Sequence, residues 1–168
     1  MVCPSFLLKK PLGGYYVTNI TDEWVPFTGI IEMTSLVDPS HFGGHHLVYL
    51  PKYLTQQDPF WDRSDAAIVE EFLGALMRIH PHLSPDDVLA TRVGRAREVQ
   101  AISTLHYSRK LKPPLETSIE GVSVVSSAQI TSGTLNLNET VGLAEEYTRA
   151  LIGRFETAGA ARAPGARD

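Results

Sequence analysis

Three short segments in the first third of the chain have the residue types of strands, and in the third of them apolar residues fall on alternate positions. Residues 15–20, 27–36 and 45–53 are rich in β-branched and aromatic side chains, and Gly and Pro positions separate them. Gly29 lies inside the second segment, where it indicates a bulge or a close approach of another backbone. Short strands joined by short loops pair antiparallel, so the pattern predicts a β-meander.

Between residues 65 and 79 the apolar residues recur at the spacing of an α-helix. Ser64 is placed to cap a helix from Asp65 to about Ile79, and Pro81 would end it. The apolar residues of this segment form a wide stripe, which requires packing on a sheet face. Beyond it, residues 88–99 predict one long strand and residues 102–107 a short extended piece. The predicted fold class is therefore α+β, an antiparallel sheet with a packed helix.

A proline pair marks the predicted domain boundary. Pro113 and Pro114 follow Lys112, and adjacent prolines cannot join a central strand or a helix interior. We therefore expect one domain over 1–112, a strand, loop and helix over 113–156, and a disordered tail over 157–168. Glu145 and Arg149 are spaced to pair on the outside of the last helix, whose predicted buried face comprises Val141, Ala144, Thr148, Leu151 and Phe155.

The second predicted domain contains the candidate binding site. Residues 122–125 predict a strand, Gly133 lies in a polar loop, and a helix begins near Asn136–Thr140. The first N–H groups of a helix lack intrahelical acceptors and carry partial positive charge, so they can hold an anion or an electron-rich carbonyl. Alternatively, the loop only satisfies its own backbone, with Asn136 and Glu139 forming a variant of the capping box.

Composition limits the classes of partner. The chain has 168 residues, of which 43% are hydrophobic and 20% charged, as in globular proteins. Its net charge of -4 and pI near 5.8 argue against nucleic acid. Cys3 is the single cysteine, so no intrachain disulfide is expected. The first residues lack the order of a signal peptide and no apolar run is long enough for a bilayer, so the expected location is cytoplasmic. The glycosylation patterns at Asn19 and Asn138 are then expected to be chance matches.

The chain also resembles a known family. The likeness runs from about Val2 to about Phe155 and includes the segments Leu12-Gly-Gly-Tyr-Tyr-Val-Thr-Asn-Ile20, Val25-Pro-Phe-Thr-Gly-Ile-Ile-Glu32, His46-Leu-Val-Tyr-Leu-Pro-Lys-Tyr53, Arg95-Ala-Arg-Glu-Val-Gln-Ala-Ile102 and Gly121 to Leu151. These look like the C-terminal part of FAD-dependent amine-oxidase-like oxidoreductases, a group that also holds protoporphyrinogen oxidases and phytoene desaturases. The resemblance implies that the N-terminal segment belongs to a partial substrate-binding domain, with residues 2–8 in a strand.

The same resemblance implies a flavin site. In that family the final strand, loop and helix return to the FAD-binding domain, and the start of the helix faces the flavin. The implied cofactor-binding residues are Ala128, Gln129, Thr134, Leu135, Asn136 and Asn138. One departure is that many relatives carry Gly-Asp or Gly-Glu at the end of this strand, where this chain has Ser126-Ser127-Ala128-Gln129.

A missing motif shapes the expected function. The sequence contains no Gly-x-Gly-x-x-Gly, so the pyrophosphate of a dinucleotide lacks its usual cradle. We therefore expect the C-terminal portion of an FAD-dependent oxidoreductase, not catalytic alone, with a second chain as a possible source of the dinucleotide-binding half and a small molecule as substrate. The alternatives are a stand-alone, non-catalytic α+β domain that binds a ligand or protein, and a truncated product. No catalytic residue is identified.

Three other groups of residues have alternative explanations. His41, His45, His46, His80 and His82 fit no familiar metal spacing, and no metal is expected. The arginines at 92, 95 and 97 could clamp a carboxylate, or form a solvated strand face. The pair at 106 and 107 could touch substrate, or be hydrogen-bonded in the interior. No Gly-x-Ser-x-Gly is present, which disfavours a hydrolase.

Overall fold

The chain folds into two compact units. The computed structural model describes residues 1–99, 101–133 and 135–162, and the side chains of 158–162 are not part of the description. Unit 1 comprises Met1–Val99 and unit 2 comprises Gln100–Asp168. The division therefore lies after Val99 and not after Lys112, because the segment before the proline pair is tied to unit 2. There the Tyr107 hydroxyl donates a hydrogen bond to the Ala128 carbonyl oxygen at 2.8 Å.

Unit 1 is an α+β unit with one antiparallel sheet. Its elements are β1 (Val2–Leu8), β2 (Val17–Asn19), β3 (Gly29–Glu32), β4 (His46–Tyr49), α1 (Asp65–Ile79) and β5 (Val88–Arg95). The strand order is β2-β3-β4-β1-β5, and every neighbouring pair is antiparallel. The predicted meander is confirmed as β2, β3 and β4. The predicted close approach is also confirmed, because a Cβ on Gly29 would lie 3.2 Å from the Thr18 carbonyl oxygen.

The core of unit 1 lies between the sheet and α1. Alternate residues of β1 are buried, and Phe6 pairs with Val48 on one side and Thr91 on the other. The helix begins as predicted, since the Ser64 hydroxyl accepts a hydrogen bond from the Ala67 amide at 3.3 Å. The ring centroid of Phe72 lies 5.4 Å from that of Phe27 and 6.0 Å from that of Phe60. The buried face of α1 comprises Ile68, Phe72, Ala75 and Leu76.

The last strand of unit 1 is shorter than predicted. β5 ends at Arg95, which pairs with Val2, the first residue of β1. Pairing with the neighbouring segment extends one residue further, since the Ala96 amide donates a hydrogen bond to the Met1 carbonyl oxygen at 2.9 Å. The short extended piece expected over 102–107 is not a strand, and α2 (Tyr107–Lys110) begins at its last residue.

Unit 2 departs most from expectation. The strand predicted over 122–125 is wrong, because this segment makes only the isolated bridge between Glu116 and Ser123. α3 runs over Leu137–Arg162, so the predicted disordered tail is helical up to Arg162, and residues 163–168 lie outside the described residues. The helix also turns a different face inward, since Tyr147 is buried. Of the face predicted to be buried, Val141, Thr148 and Phe155 are exposed and Ala144 and Leu151 are half-buried.

The predicted ion pair on α3 is present, with 3.6 Å between the charged groups of Glu145 and Arg149. Within the described residues, no helix combines the length and apolar character needed to cross a bilayer.

Candidate functional site

The start of α3 is capped by its own chain. The Asn136 side-chain oxygen accepts a hydrogen bond from the Glu139 amide at 2.9 Å, and the Asn136 carbonyl accepts from the Thr140 hydroxyl at 2.9 Å. The capping role considered for Asn136 is therefore confirmed. The side-chain oxygen of Asn136 is already used by the Glu139 amide, but the residue is exposed to solvent at the start of the helix. A ligand could approach this end from solvent.

Glu139 places negative charge beside the same helix end. Gly133 has φ +97°, and a Cβ there would lie 3.2 Å from the Glu139 carboxyl carbon. The loop thus needs glycine for its backbone angle and for the space that the carboxylate fills. A carboxylate in the first turn stabilises the helix through the dipole, but it repels an anion placed near it. An anion near this helix end would therefore be repelled by the Glu139 carboxylate.

The residues predicted before Gly133 support the loop. Gln129 is only 3% exposed, and its side-chain oxygen accepts from the Ser126 amide at 2.6 Å. Its side-chain nitrogen donates to the Val124 carbonyl at 3.0 Å. The Ala128 carbonyl accepts from the Tyr107 hydroxyl, but His106 is exposed and Tyr107 is half-buried, so the interior pair considered for 106 and 107 is wrong for His106 and holds for Tyr107 only as a hydrogen bond. The polar groups of these side chains are used to fix the loop that leads to the helix.

The other predicted residues lie at the helix end. Leu135 is half-buried, whereas Asn136 and Asn138 are exposed, and Thr134 lies outside the described residues. Gln129 therefore has a different role from the other three residues. Its buried side chain holds the loop through hydrogen bonds to the backbone, whereas Leu135, Asn136 and Asn138 lie at the start of α3.

An open cleft of about 730 Å³ lies beside the first turns of α3, within unit 2. That volume is in the range of small-molecule sites. Of the predicted residues, Gln129 lines the cleft. Apolar, hydroxyl and charged side chains share its wall, which comprises Lys112, Leu115, Gln129, Ile130, Thr131, Ser132, Glu139, Gly142, Leu143, Glu146, Tyr147, Arg149 and Ala150.

A carboxylate network ties the loop to α3. Glu116 accepts hydrogen bonds from the Tyr147 hydroxyl at 2.6 Å, from Arg154 at 2.9 Å and from the Ser123 hydroxyl at 2.8 Å. These bonds, led by that of Tyr147, lower the pKa of Glu116 to about 2. Glu116 is solvent-exposed, and its partners on α3 lie far along the chain. Its neighbours in sequence therefore gave no signal that it connects the loop to the helix.

The network predicts an acid-sensitive link. Because the folded pKa of Glu116 lies near 2 and the unperturbed value is 4.5, its stabilisation is complete above pH 4.5. It is lost as the pH falls from there toward 2. In NMR spectra, the chemical shifts of the Tyr147 ring should change in this acid range as the Glu116 carboxylate takes up a proton. Glu116→Gln should abolish that change, whereas Glu120→Gln should leave it as in the wild type. A wild-type Tyr147 signal constant from pH 5 to pH 2 would contradict the link.

Sequence reasoning missed a buried carboxylate in unit 1. Glu32 is 2% exposed and accepts hydrogen bonds from the amides of Leu12 at 2.8 Å, Gly13 at 3.2 Å and Gly14 at 2.8 Å. It thereby holds the turn between β1 and β2. A glutamate at a buried position of an apolar strand was the signal that could have identified it. Nearby, burial lowers the pKa of His80.

Several of the histidines and arginines considered as ligands contact other residues of unit 1. The His80 and His82 rings lie 5.8 Å apart, and a ring nitrogen of His82 is 2.9 Å from the Pro11 carbonyl oxygen. In the part of the chain that the structure describes, no three His, Cys, Asp or Glu side chains are grouped to hold a metal. Arg95 pairs with Asp65, and Arg97 donates to the Gln56 carbonyl at 3.0 Å. Both arginines connect segments of unit 1.

The fold and site together define an α+β protein with a sheet unit and a helical unit that has an open cleft. The chain matches no family model, no curated protein and no solved structure with which it was compared.

Proposed function

We propose that this chain is the C-terminal portion of an FAD-dependent oxidoreductase resembling flavin amine oxidases. In this proposal unit 1 is the partial substrate-binding domain that covers the substrate, and unit 2 supplies one wall of the flavin site. The chain is not catalytic alone, because the dinucleotide cradle comes from a second polypeptide segment.

One observation carries the proposal: the described part of unit 2 has very little core of its own. Ile130 and Tyr147 are its buried hydrophobic residues, together with the polar Gln129. Large apolar side chains are exposed instead over 102–124, namely Ile102, Leu105, Leu111, Ile119, Val122 and Val124. Burial of so little apolar surface does not offset the entropy of ordering a chain, so this unit requires a covering polypeptide. That requirement favours a part of a larger protein over a stand-alone domain.

The start of α3 supports the flavin as the ligand. The helix end is open to solvent, and backbone N–H groups with a favourable dipole lie there. Leu135, Asn136 and Asn138 would contact the flavin, and Gln129 would hold the loop in position. The FAD, when bound, supplies the acceptance of a hydride from a C–N or C–C bond. Glu139 would disfavour negative charge at this edge, so its carboxylate fits the neutral flavin better than an anionic one.

A flavin titration tests the proposal. We expect the purified chain alone to leave the FAD absorption and fluorescence unchanged at micromolar concentrations. Addition of a chain that carries Gly-x-Gly-x-x-Gly, sought in the reading frame immediately upstream, should quench the fluorescence and give a protein-bound flavin spectrum. Tight stoichiometric FAD binding by this chain alone would contradict the proposal. The matched control is the partner with its first two motif glycines replaced by alanine, which should bind little flavin.

The buried apolar cluster of unit 1 favours a second candidate, a non-catalytic α+β domain that binds a ligand or protein. This alternative predicts that the whole chain, with no partner added, unfolds cooperatively and protects the 102–124 segment from amide exchange. Rapid exchange of that segment would favour the first candidate.

A further inference from the structure

The turn between β1 and β2 is held from two sides by polar side chains. We call residues 11–14 of this turn the strap. On one side, the buried Glu32 carboxylate of β3 accepts hydrogen bonds from the amides of residues 12–14. On the other side, a ring nitrogen of His82 lies 2.9 Å from the Pro11 carbonyl oxygen. A carbonyl oxygen only accepts, so this nitrogen donates, and the strap is tied to a carboxylate and to a histidine.

A second histidine lies beside the strap. His80 follows the last residue of α1 and is half-buried, and its ring centroid lies 5.8 Å from that of His82. The strap packs against it, since a Cβ on Gly13 would lie 4.0 Å from a His80 ring carbon. A cavity of about 20 Å³ is bordered by His80, Glu32 and the strap. That space holds about one water molecule, so a charged His80 ring is poorly hydrated on this side.

Titratable groups from three segments face the His80 ring. Glu32 borders the same cavity from β3, and Tyr15 borders it from the residues that follow the strap. His82 meets the ring edge to face from the segment after α1. Glu32 is the one acid among these groups, so it alone attracts a protonated His80, whereas a protonated His82 repels it.

The balance of these effects favours a neutral His80 ring. Burial lowers the pKa of His80 below its usual value of 6.5, His82 lowers it further, and the attraction of Glu32 opposes both. On α1 itself, Arg78 stacks on the Trp24 ring at 3.9 Å. Because the folded pKa lies below 6.5, the stability that the neutral ring provides is complete above pH 6.5. It is lost as the pH falls below that value.

We propose that the strap is a pH-sensitive latch, which is closed while His80 and His82 are neutral and opens when both rings are protonated. Two imidazolium rings at this separation repel each other. His82 is exposed, so it is the ring that moves into solvent, and its bond to Pro11 breaks. A charged His80 also attracts the Glu32 carboxylate and thereby weakens the bonds that hold the amides of the strap.

The ion pair next to the strap does not change in the same pH range. Lys10 Nζ lies 3.0 Å from the Asp87 carboxylate. This bond, followed by that from the Ser84 amide, lowers the pKa of Asp87 below its usual value of 3.8. Asp87 therefore stays ionised between about pH 7.5 and pH 5, and a change in that range reports the histidines.

Amide hydrogen exchange measured by NMR tests the latch in the full chain. Rates are converted to protection factors, which remove the intrinsic pH dependence of exchange. We expect the protection factors of the Gly13 and Gly14 amides to fall about tenfold or more between about pH 7.5 and pH 5. The Phe6 amide should keep its protection, because β1 has a neighbouring strand on each side and the opening is local.

Variants identify the groups responsible. His80→Gln removes the titrating ring and should abolish the fall in protection. His82→Gln should make the fall smaller, because a single cation has no second cation to repel it. The matched control His41→Gln, at an exposed histidine outside this cluster, should behave as the wild type. Tryptophan fluorescence at neutral pH shows whether each variant is folded.

Three results would overturn the latch. The first is a wild-type protection factor that stays constant over this pH range. The second is a fall that persists in folded His80→Gln. If His80→Gln is unfolded, His82→Gln decides, and a fall as large as that of the wild type is then the third.

The histidine ring signals provide a second measurement on the wild type. We expect His80 to take up its proton below pH 6.5, over the same range in which the strap loses protection. Uptake above pH 6.5 would show that an ion pair with Glu32 closes the strap in acid, and the proposal would be wrong. The latch requires no flavin and does not rest on the proposed function, so a failure to bind FAD would leave it unaffected.

Discussion

Replacing Glu32 with alanine is expected to lower the free energy of unfolding of unit 1 by about 2 to 4 kcal/mol. The carboxylate accepts hydrogen bonds from three backbone amides, those of Leu12, Gly13 and Gly14, and it is nearly inaccessible to water. Alanine would leave these donors without acceptors, and a buried donor left unpaired costs its full desolvation. Glu32→Gln keeps one carbonyl acceptor but places an NH₂ group among donors, so a smaller loss is expected.

Urea unfolding followed by tryptophan fluorescence measures this loss. Trp24 and Trp61 are the tryptophans of the chain, and both lie in unit 1, so the signal reports that unit. The matched control is Glu23→Ala, the same substitution at an exposed glutamate, which should change the stability by less than about 0.5 kcal/mol. If Glu32→Ala behaved like this control, the carboxylate would not hold the turn.

Truncation of Phe72 to alanine is expected to cost about 3 to 5 kcal/mol, the other large effect. Phe72 is fully buried in α1, and its ring packs against Phe27 and Phe60. Alanine removes the ring contacts with both and leaves a cavity between the helix and the sheet. The loss is large relative to the typical stability of a small domain, so the variant is expected to be partly unfolded at 37 °C.

The same fluorescence measurement applies, with a graded variant. Phe72→Leu keeps much of the volume and should lose roughly 1 to 2 kcal/mol. Leu89→Ala serves as the control at a half-exposed residue of β5, with an expected loss below about 1 kcal/mol. A loss from Phe72→Ala no greater than that from Leu89→Ala would show that the helix does not pack on the sheet as described.

The Glu32→Ala variant also separates the stability of unit 1 from flavin binding in the proposed enzyme. The Glu32 turn joins β1 to β2, and the proposal assigns this sheet to substrate cover. Loss of the carboxylate should therefore weaken the cover without changing the start of α3, which belongs to unit 2. Reconstitution with FAD and a partner chain would then retain flavin binding in Glu32→Ala at temperatures where unit 1 is folded.

Local sequence signals predicted the elements that depend on neighbours in sequence. Ser64 and Asn136 cap their helices as expected, because the cap and its donor are three residues apart. The meander followed from segments rich in β-forming residues and from the turn residues between them, and the close approach at Gly29 followed from its missing side chain. The carboxylate at 116 gave no such signal, because its partners at 147 and 154 are far along the chain.

By itself the sequence determined the α+β class, the order of the strands that follow one another, the bounds of α1 and the start of α3. These depend on periods of two and 3.6 and on short-range caps, which neighbouring residues encode. Only the tertiary structure decided that β1 lies between β4 and β5, that residues 122–125 form no strand, and that α3 buries Tyr147 and exposes Val141 and Phe155. The reason is that a strand needs a neighbour and a helix face needs a surface, and residues distant in sequence provide both.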